Sequence, residues 1–109
     1  MQRLTDDLAS ELLRAPRALI FKHSTRCGTS RRALAAFGEV EAALGETPAA
    51  LLDVIADRAL AQRVAEVTGV RHESPQLLLL ERGRVRQHLS HGAITSDAVR
   101  RLLEAPDRG

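Results

Sequence analysis

The sequence predicts an α/β fold, a mixed four-stranded sheet with helices on both faces, and three observations carry that reading. Apolar runs of strand length at residues 17–23, 49–55 and 76–80 alternate with segments of helical period. Gly or Pro punctuates the junctions between them. Arg82-Gly83 follows the third run, where a tight turn folds the chain back into a fourth strand at 85–90. At 109 residues the chain is expected to form one domain, 1–109, whose core needs neither disulfide nor metal.

Each element has its own signal. Leu4, Leu8 and Leu12 recur every four residues, with Thr5 as N-cap, Asp6 and Asp7 in the first turn, and Pro16 as the stop. Residues 17–23 read as a short buried strand. A helix is expected over 29–44, with Leu34, Phe37, Val40 and Leu44 on one face and Gly45 closing it. Residues 49–55 form the second strand, and Asp57 is placed to cap a third helix over 58–68 that Gly69 ends. Pro75 before and Glu81-Arg82-Gly83 after the four consecutive leucines 77–80 favour a buried central strand over a helix. In the fourth strand Arg82, Arg84, Arg86 and His88 alternate, which marks a solvated face on a sheet edge. Thr95 then caps a last helix over 96–104, stopped before Pro106. A right-handed β-α-β unit makes the first two strands parallel, and the hairpin adds antiparallel ones. This α-β-α-β-α-β-β-α order is that of the thioredoxin fold.

Composition narrows the function classes. Net charge is +2, and 15 of the 16 basic residues are arginine, Lys22 being the lysine. The charges are spread along the chain and the aromatics are only Phe21 and Phe37, so a nucleic-acid partner is not expected. No apolar stretch approaches the ~20 residues of a membrane span, and residues 1–13 lack the basic-then-apolar layout of a signal peptide. The expectation is a cytoplasmic protein, a monomer, without a membrane partner.

The stretch Phe21-Lys22-His23-Ser24-Thr25-Arg26-Cys27-Gly28-Thr29-Ser30 holds the single cysteine. Cys27 falls where a strand hands over to a helix, at the carboxyl end of the first strand, a position where open α/β sheets place reactive groups. Unpaired N–H groups and the helix dipole favour a thiolate there. Lys22, His23, Arg26, Arg31 and Arg32 surround it in sequence, and no carboxylate occurs between Arg14 and Glu39. Gly28 lets a partner approach the sulfur closely. Ser30 stands where a C-x-x-C enzyme carries its second cysteine, and its hydroxyl is able to donate to a thiolate but not to form a disulfide. A buried, inert cysteine is the competing reading. The four histidines and Cys27 show no metal-ligand spacing, so no metal is expected.

Three motifs in order, Lys22 to Cys27 with Ser30, His72-Glu73-Ser74-Pro75-Gln76, and Ser90-His91 followed by Ile94-Thr95, resemble the bacilliredoxin family of the YtxJ/BrxC type. The resemblance runs from about residue 4 to residue 104. It implies a small monothiol thioredoxin-fold oxidoreductase linked to bacillithiol, with Cys27 as the active-site cysteine and Pro75 as a cis-proline that, with Ser74 before it, exposes backbone to an extended substrate. It further implies thiol–disulfide exchange on S-thiolated client proteins, with no bound cofactor and bacillithiol as thiol cosubstrate. Lys22, Arg26 or Arg31 would then meet the carboxylates of that thiol. The family usually reads T-C-P-I-S, whereas this chain has Arg26-Cys27-Gly28-Thr29-Ser30, which loosens the helix start and adds a positive charge beside the sulfur. Two further readings stay open. Cys27-Gly28-Thr29-Ser30 also resembles the C-G-F-S of monothiol glutaredoxins, which would imply an iron–sulfur carrier. A non-catalytic binding or redox-sensing module is the other.

Overall fold

The structure, a computed structural model, describes residues 1–104. Its elements are β1 (Gln2–Arg3), α1 (Asp6–Arg14), β2 (Ala18–His23), α2 (Gly28–Glu39), β3 (Ala49–Asp53), α3 (Arg58–Thr68), β4 (Gln76–Glu81), β5 (Arg84–Ser90) and α4 (Ser96–Glu104). They form one mixed sheet in the order β1-β3-β2-β4-β5. The sheet has five strands rather than the four expected. The addition, β1, is two residues that lie parallel to β3 and lead into the buried Leu4. A two-residue strand carries no alternation, so the sequence holds no signal for it.

β2 runs parallel to β3 and antiparallel to β4, and both strands of the β2–β4 pair are buried along their whole length. Their side chains divide by parity. Leu19, Phe21, Leu77 and Leu79 meet Ala33 and Phe37 of α2 and Val99 and Leu102 of α4, with the Phe21 and Phe37 rings 5.6 Å apart. Ala18, Ile20, Leu78 and Leu80 meet α1 and α3 on the other face. Helices therefore cover both faces of the sheet.

The helix ends follow the sequence signals, with two exceptions. Thr5 accepts from Leu8 N at 3.2 Å and Thr95 from Ala98 N at 3.1 Å, while Gly69 closes α3 in the left-handed region at φ 73°. Asp57 does not cap α3: its carboxylate instead takes the Arg3 guanidinium, at 3.0 and 3.1 Å, and so binds β1 to the start of α3. The expected helix over 29–44 breaks at Val40 and continues as a tighter 3-10 turn at Glu41–Leu44. α4 is described as far as Glu104, and the stop assigned to Pro106 lies outside the described residues.

The hairpin turn puts both Arg82 (φ 50°) and Gly83 (φ 82°) in the left-handed region. Gly83 also lies against α1, where an added Cβ would sit 2.7 Å from the Leu13 carbonyl oxygen, so only glycine fits. β5 is an edge strand, as expected, but its arginines are not all solvated: Arg84 is exposed, whereas Arg86 is partly buried. The register slips between Leu79 and Leu80, residue 86 is the extra one, and Arg86 turns to Glu81 at 3.5 Å.

Candidate active site

β2 ends at His23, and the chain turns through Ser24, Thr25 and the exposed Arg26 to Cys27, the N-cap of α2. Cys27 has extended backbone angles (φ −113°, ψ 122°) and a half-exposed side chain. The sulfur therefore stands over a helical first turn that contains no acidic residue. The Ser30 backbone N–H is the strongest influence lowering the thiol below its ordinary pKa, and the Thr29 N–H and hydroxyl and the Arg31 guanidinium add to it. Partial burial opposes them and loses. None of these groups makes a complete capping hydrogen bond to the sulfur; they act as dipoles and charge at short range. Arg31 reaches back over Gly28 to the Thr25 carbonyl at 3.4 Å, which keeps its cation beside the thiol.

The Ser30 hydroxyl does something other than expected. It is fully buried, accepts from the Ser24 N–H at 2.9 Å and pairs with His23 Nδ1 at 2.9 Å, so it is not committed to the sulfur. These bonds tie the first turn of α2 to the end of β2 and fix where its amides point. His23, counted from the sequence among the positive groups around the thiol, is buried at the end of β2. Burial lowers its pKa, outweighing the nearby Asp53 carboxylate, and leaves the neutral imidazole as the working form near pH 7.

Lys22 is also displaced from its expected part. Its position in β2 gives it the parity of Ala18 and Ile20, on the sheet face away from α2, and it is completely buried. Its ammonium donates to Gln76 Oε1 at 3.0 Å, across the β2–β4 ladder. A side chain held there does not reach the carboxylates of a dissolved thiol, so that expectation is corrected. Of the three cations considered for that task, Arg26 and Arg31 are the exposed ones.

The Ser74–Pro75 peptide bond is cis. One register step beyond the Lys22–Gln76 pair sets Pro75 opposite His23, whose imidazole touches the helix that Cys27 caps. Pro75 and Cys27 thus occupy the same end of the sheet. The Ser74 hydroxyl is buried and has no hydrogen-bond partner among the described residues. Glu73 is held by the His91 imidazole at 3.1 Å, a loop hydrogen bond rather than a proton path to the thiol. Two residues that sequence reasoning did not assign to the site, Gln76 and Ser90, bond to each other just behind this loop at 3.2 Å. Their polar character next to an apolar strand was the available signal. Among the described residues no cluster of three or more His, Cys, Asp or Glu side chains is arranged to hold a metal ion, and no helix is long and apolar enough to cross a membrane.

Fold and thiol together define a thioredoxin-fold protein with one cysteine between the carboxyl end of β2 and the start of α2. Solved structures agree. A protein whose assignment as an oxidoreductase with a thioredoxin fold is itself provisional matches at TM-score 0.84 and 25% identity, over 94% of this chain and 93% of that one. The thioredoxin of Plasmodium falciparum matches at TM-score 0.76 and 12% identity, over 95% and 97% of the two chains. That of Fasciola hepatica matches at 0.75 and 15%, over 94% and 96%. The family model described as monothiol bacilliredoxin BrxC matches residues 5–99. The chain belongs to that family, and its role lies in thiol redox chemistry.

Proposed function

We propose that the protein is a monothiol thiol–disulfide oxidoreductase that removes bacillithiol, or a similar low-molecular-weight thiol, from protein mixed disulfides. The observation that carries this reading is the Cys27 sulfur, half exposed at the start of α2, with its pKa lowered by the first-turn amides. A thiolate is the attacking species in disulfide exchange, and a lowered pKa raises its fraction near neutral pH.

The Cys27 thiolate attacks the bacillithiol sulfur of the client's mixed disulfide. The bond between the two sulfurs breaks, the client sulfur leaves as a thiolate and takes a proton from water, and bacillithiol stays disulfide-bonded to Cys27. With no second cysteine in the chain, a free thiol must attack the same bacillithiol sulfur, releasing the Cys27 thiolate and a low-molecular-weight disulfide. Arg26, exposed and next to Cys27 in the chain, and Arg31, whose charge acts on the thiol, supply charge for the thiol's carboxylates. The backbone beside Pro75, at the same end of the sheet as Cys27, supplies polar groups for the polypeptide.

The test is a bacillithiolated reporter protein mixed with purified wild type or Cys27→Ser. Wild type is expected to release the reporter thiol and gain the mass of one bacillithiol at Cys27, and Cys27→Ser is expected to do neither. Release at the wild-type rate by Cys27→Ser overturns the assignment.

A further inference from the structure

Lys22 is a buried cation that the exchange chemistry leaves without a task. Its hydrogen-bond partner is a neutral amide, Gln76 Oε1 at 3.0 Å. A buried ammonium is costly unless its bonds do something. Here they orient a relay. Lys22 donates only, so it takes the amide oxygen of Gln76; that turns the amide nitrogen toward the Arg71 carbonyl at 3.2 Å and the Ser90 hydroxyl at 3.2 Å. The carbonyl accepts only, so the reverse orientation of the amide satisfies neither end. Ser90 and His91 in turn hold the Glu73 carboxyl below its ordinary pKa, and the His91 N–H donates to the Pro75 carbonyl at 2.9 Å. A chain of directed bonds thus runs from the centre of the sheet to both ends of the loop over residues 71–75.

We propose that Lys22 is a positioning residue, which through Gln76 fixes the 71–75 loop against the end of β5 so that the polypeptide part of a mixed disulfide is presented to Cys27. The proposal rests on the exchange reading above for its substrate, but the anchoring itself is measurable without any reaction. Lys22 touches no reacting atom; it acts through the amide and the loop.

Two variants test it. Lys22→Met removes the donor while keeping much of the volume. Gln76→Glu keeps a partner for Lys22 but has no N–H for the Arg71 carbonyl, so it separates the loop tie from the cost of an unpaired buried charge. Hydrogen exchange of the His91 amide reads the anchor directly. It is expected to quicken about tenfold or more in both variants relative to amides of the β2–β3 ladder. Unchanged relative protection of that amide in both variants overturns the proposal. Kinetics then read its consequence. The ratio of rate constants for a bacillithiolated decapeptide over a small symmetrical aromatic disulfide is expected to fall about tenfold or more, mainly through KM. Equal slowing with both disulfides would show general damage and also overturn it. If wild type does not act on the peptide at all, the exchange reading fails while the His91 result still decides the anchor.

Discussion

Ser30 acts through two different atoms: its backbone N–H faces the Cys27 sulfur, and its hydroxyl bonds to Ser24 and His23. The two roles are separable by one substitution. Ser30→Ala keeps the N–H and deletes the hydroxyl, so the Ser24 N–H and His23 Nδ1 lose a buried partner. Denaturant unfolding should show a loss of about 1–3 kcal/mol, the range for stranding a buried polar group. The thiolate midpoint of Cys27, followed by its ultraviolet absorbance, should nevertheless remain below that of an ordinary cysteine, because the helix amides survive. A midpoint restored to the ordinary value would mean that the hydroxyl itself stabilises the anion. The sign follows from the lowered pKa: the thiolate's contribution to stability is present above the unfolded thiol's pKa and is lost as pH falls through the folded one.

At the scale of elements, the start of α2 tolerates the proline that the family usually carries after its cysteine. Gly28 is the first residue of the helix, where a missing N–H costs nothing, and Cys27 before it already has the extended angles that a following proline demands. Gly28→Pro should therefore stabilise the protein by about 0.4–1 kcal/mol through the unfolded chain, read as a rise in thermal midpoint. A fall would show that the amide at residue 28 has a partner. Element identity was legible wherever chemistry punctuates the chain, as at Thr5, Gly69, Arg82-Gly83 and Thr95. What escaped was set by tertiary partners. Asp57 prefers a guanidinium from β1 to a cap, α2 tightens at Val40, and Arg86, at a bulge, is partly buried against Glu81. The site divided in the same way. Cys27 at a strand-to-helix junction followed from the apolar pattern alone, whereas the partners of Ser30 and His23 depend on bonds across several residues that no spacing announces. Lys22 lies between these cases, since the parity of a strand read as buried pointed it inward, but its charge suggested solvent.

For the molecule as a whole, the buried Lys22 makes stability depend on pH in a direction opposite to that of an ion pair. Burial, offset in part by the attraction of Glu73, lowers its pKa from 10.5 to about 8. His72, on the same loop, has its own pKa lowered first by burial and then by the Lys22 charge, so near pH 7 it adds no second cation. Between pH 8 and pH 10.5 the unfolded chain therefore holds a proton at this site that the folded protein has released. Stability rises with pH wherever the unfolded state binds more protons. The penalty of the buried ammonium is fully present below the folded pKa and is relieved as pH climbs toward the unfolded value. Chain composition makes this visible, because there is no tyrosine and no second lysine to titrate in that window. Unfolding free energies measured across it should increase with pH in wild type, and the increase should be smaller in Lys22→Met, where Cys27 alone still contributes. Parallel curves for the two proteins would place the titration elsewhere. The same pair of curves separates the two costs at residue 22. The substitution's effect at pH 7 combines a removed buried charge with a stranded Gln76 carbonyl, whereas its effect near pH 10.5 retains the stranded carbonyl with the charge term gone.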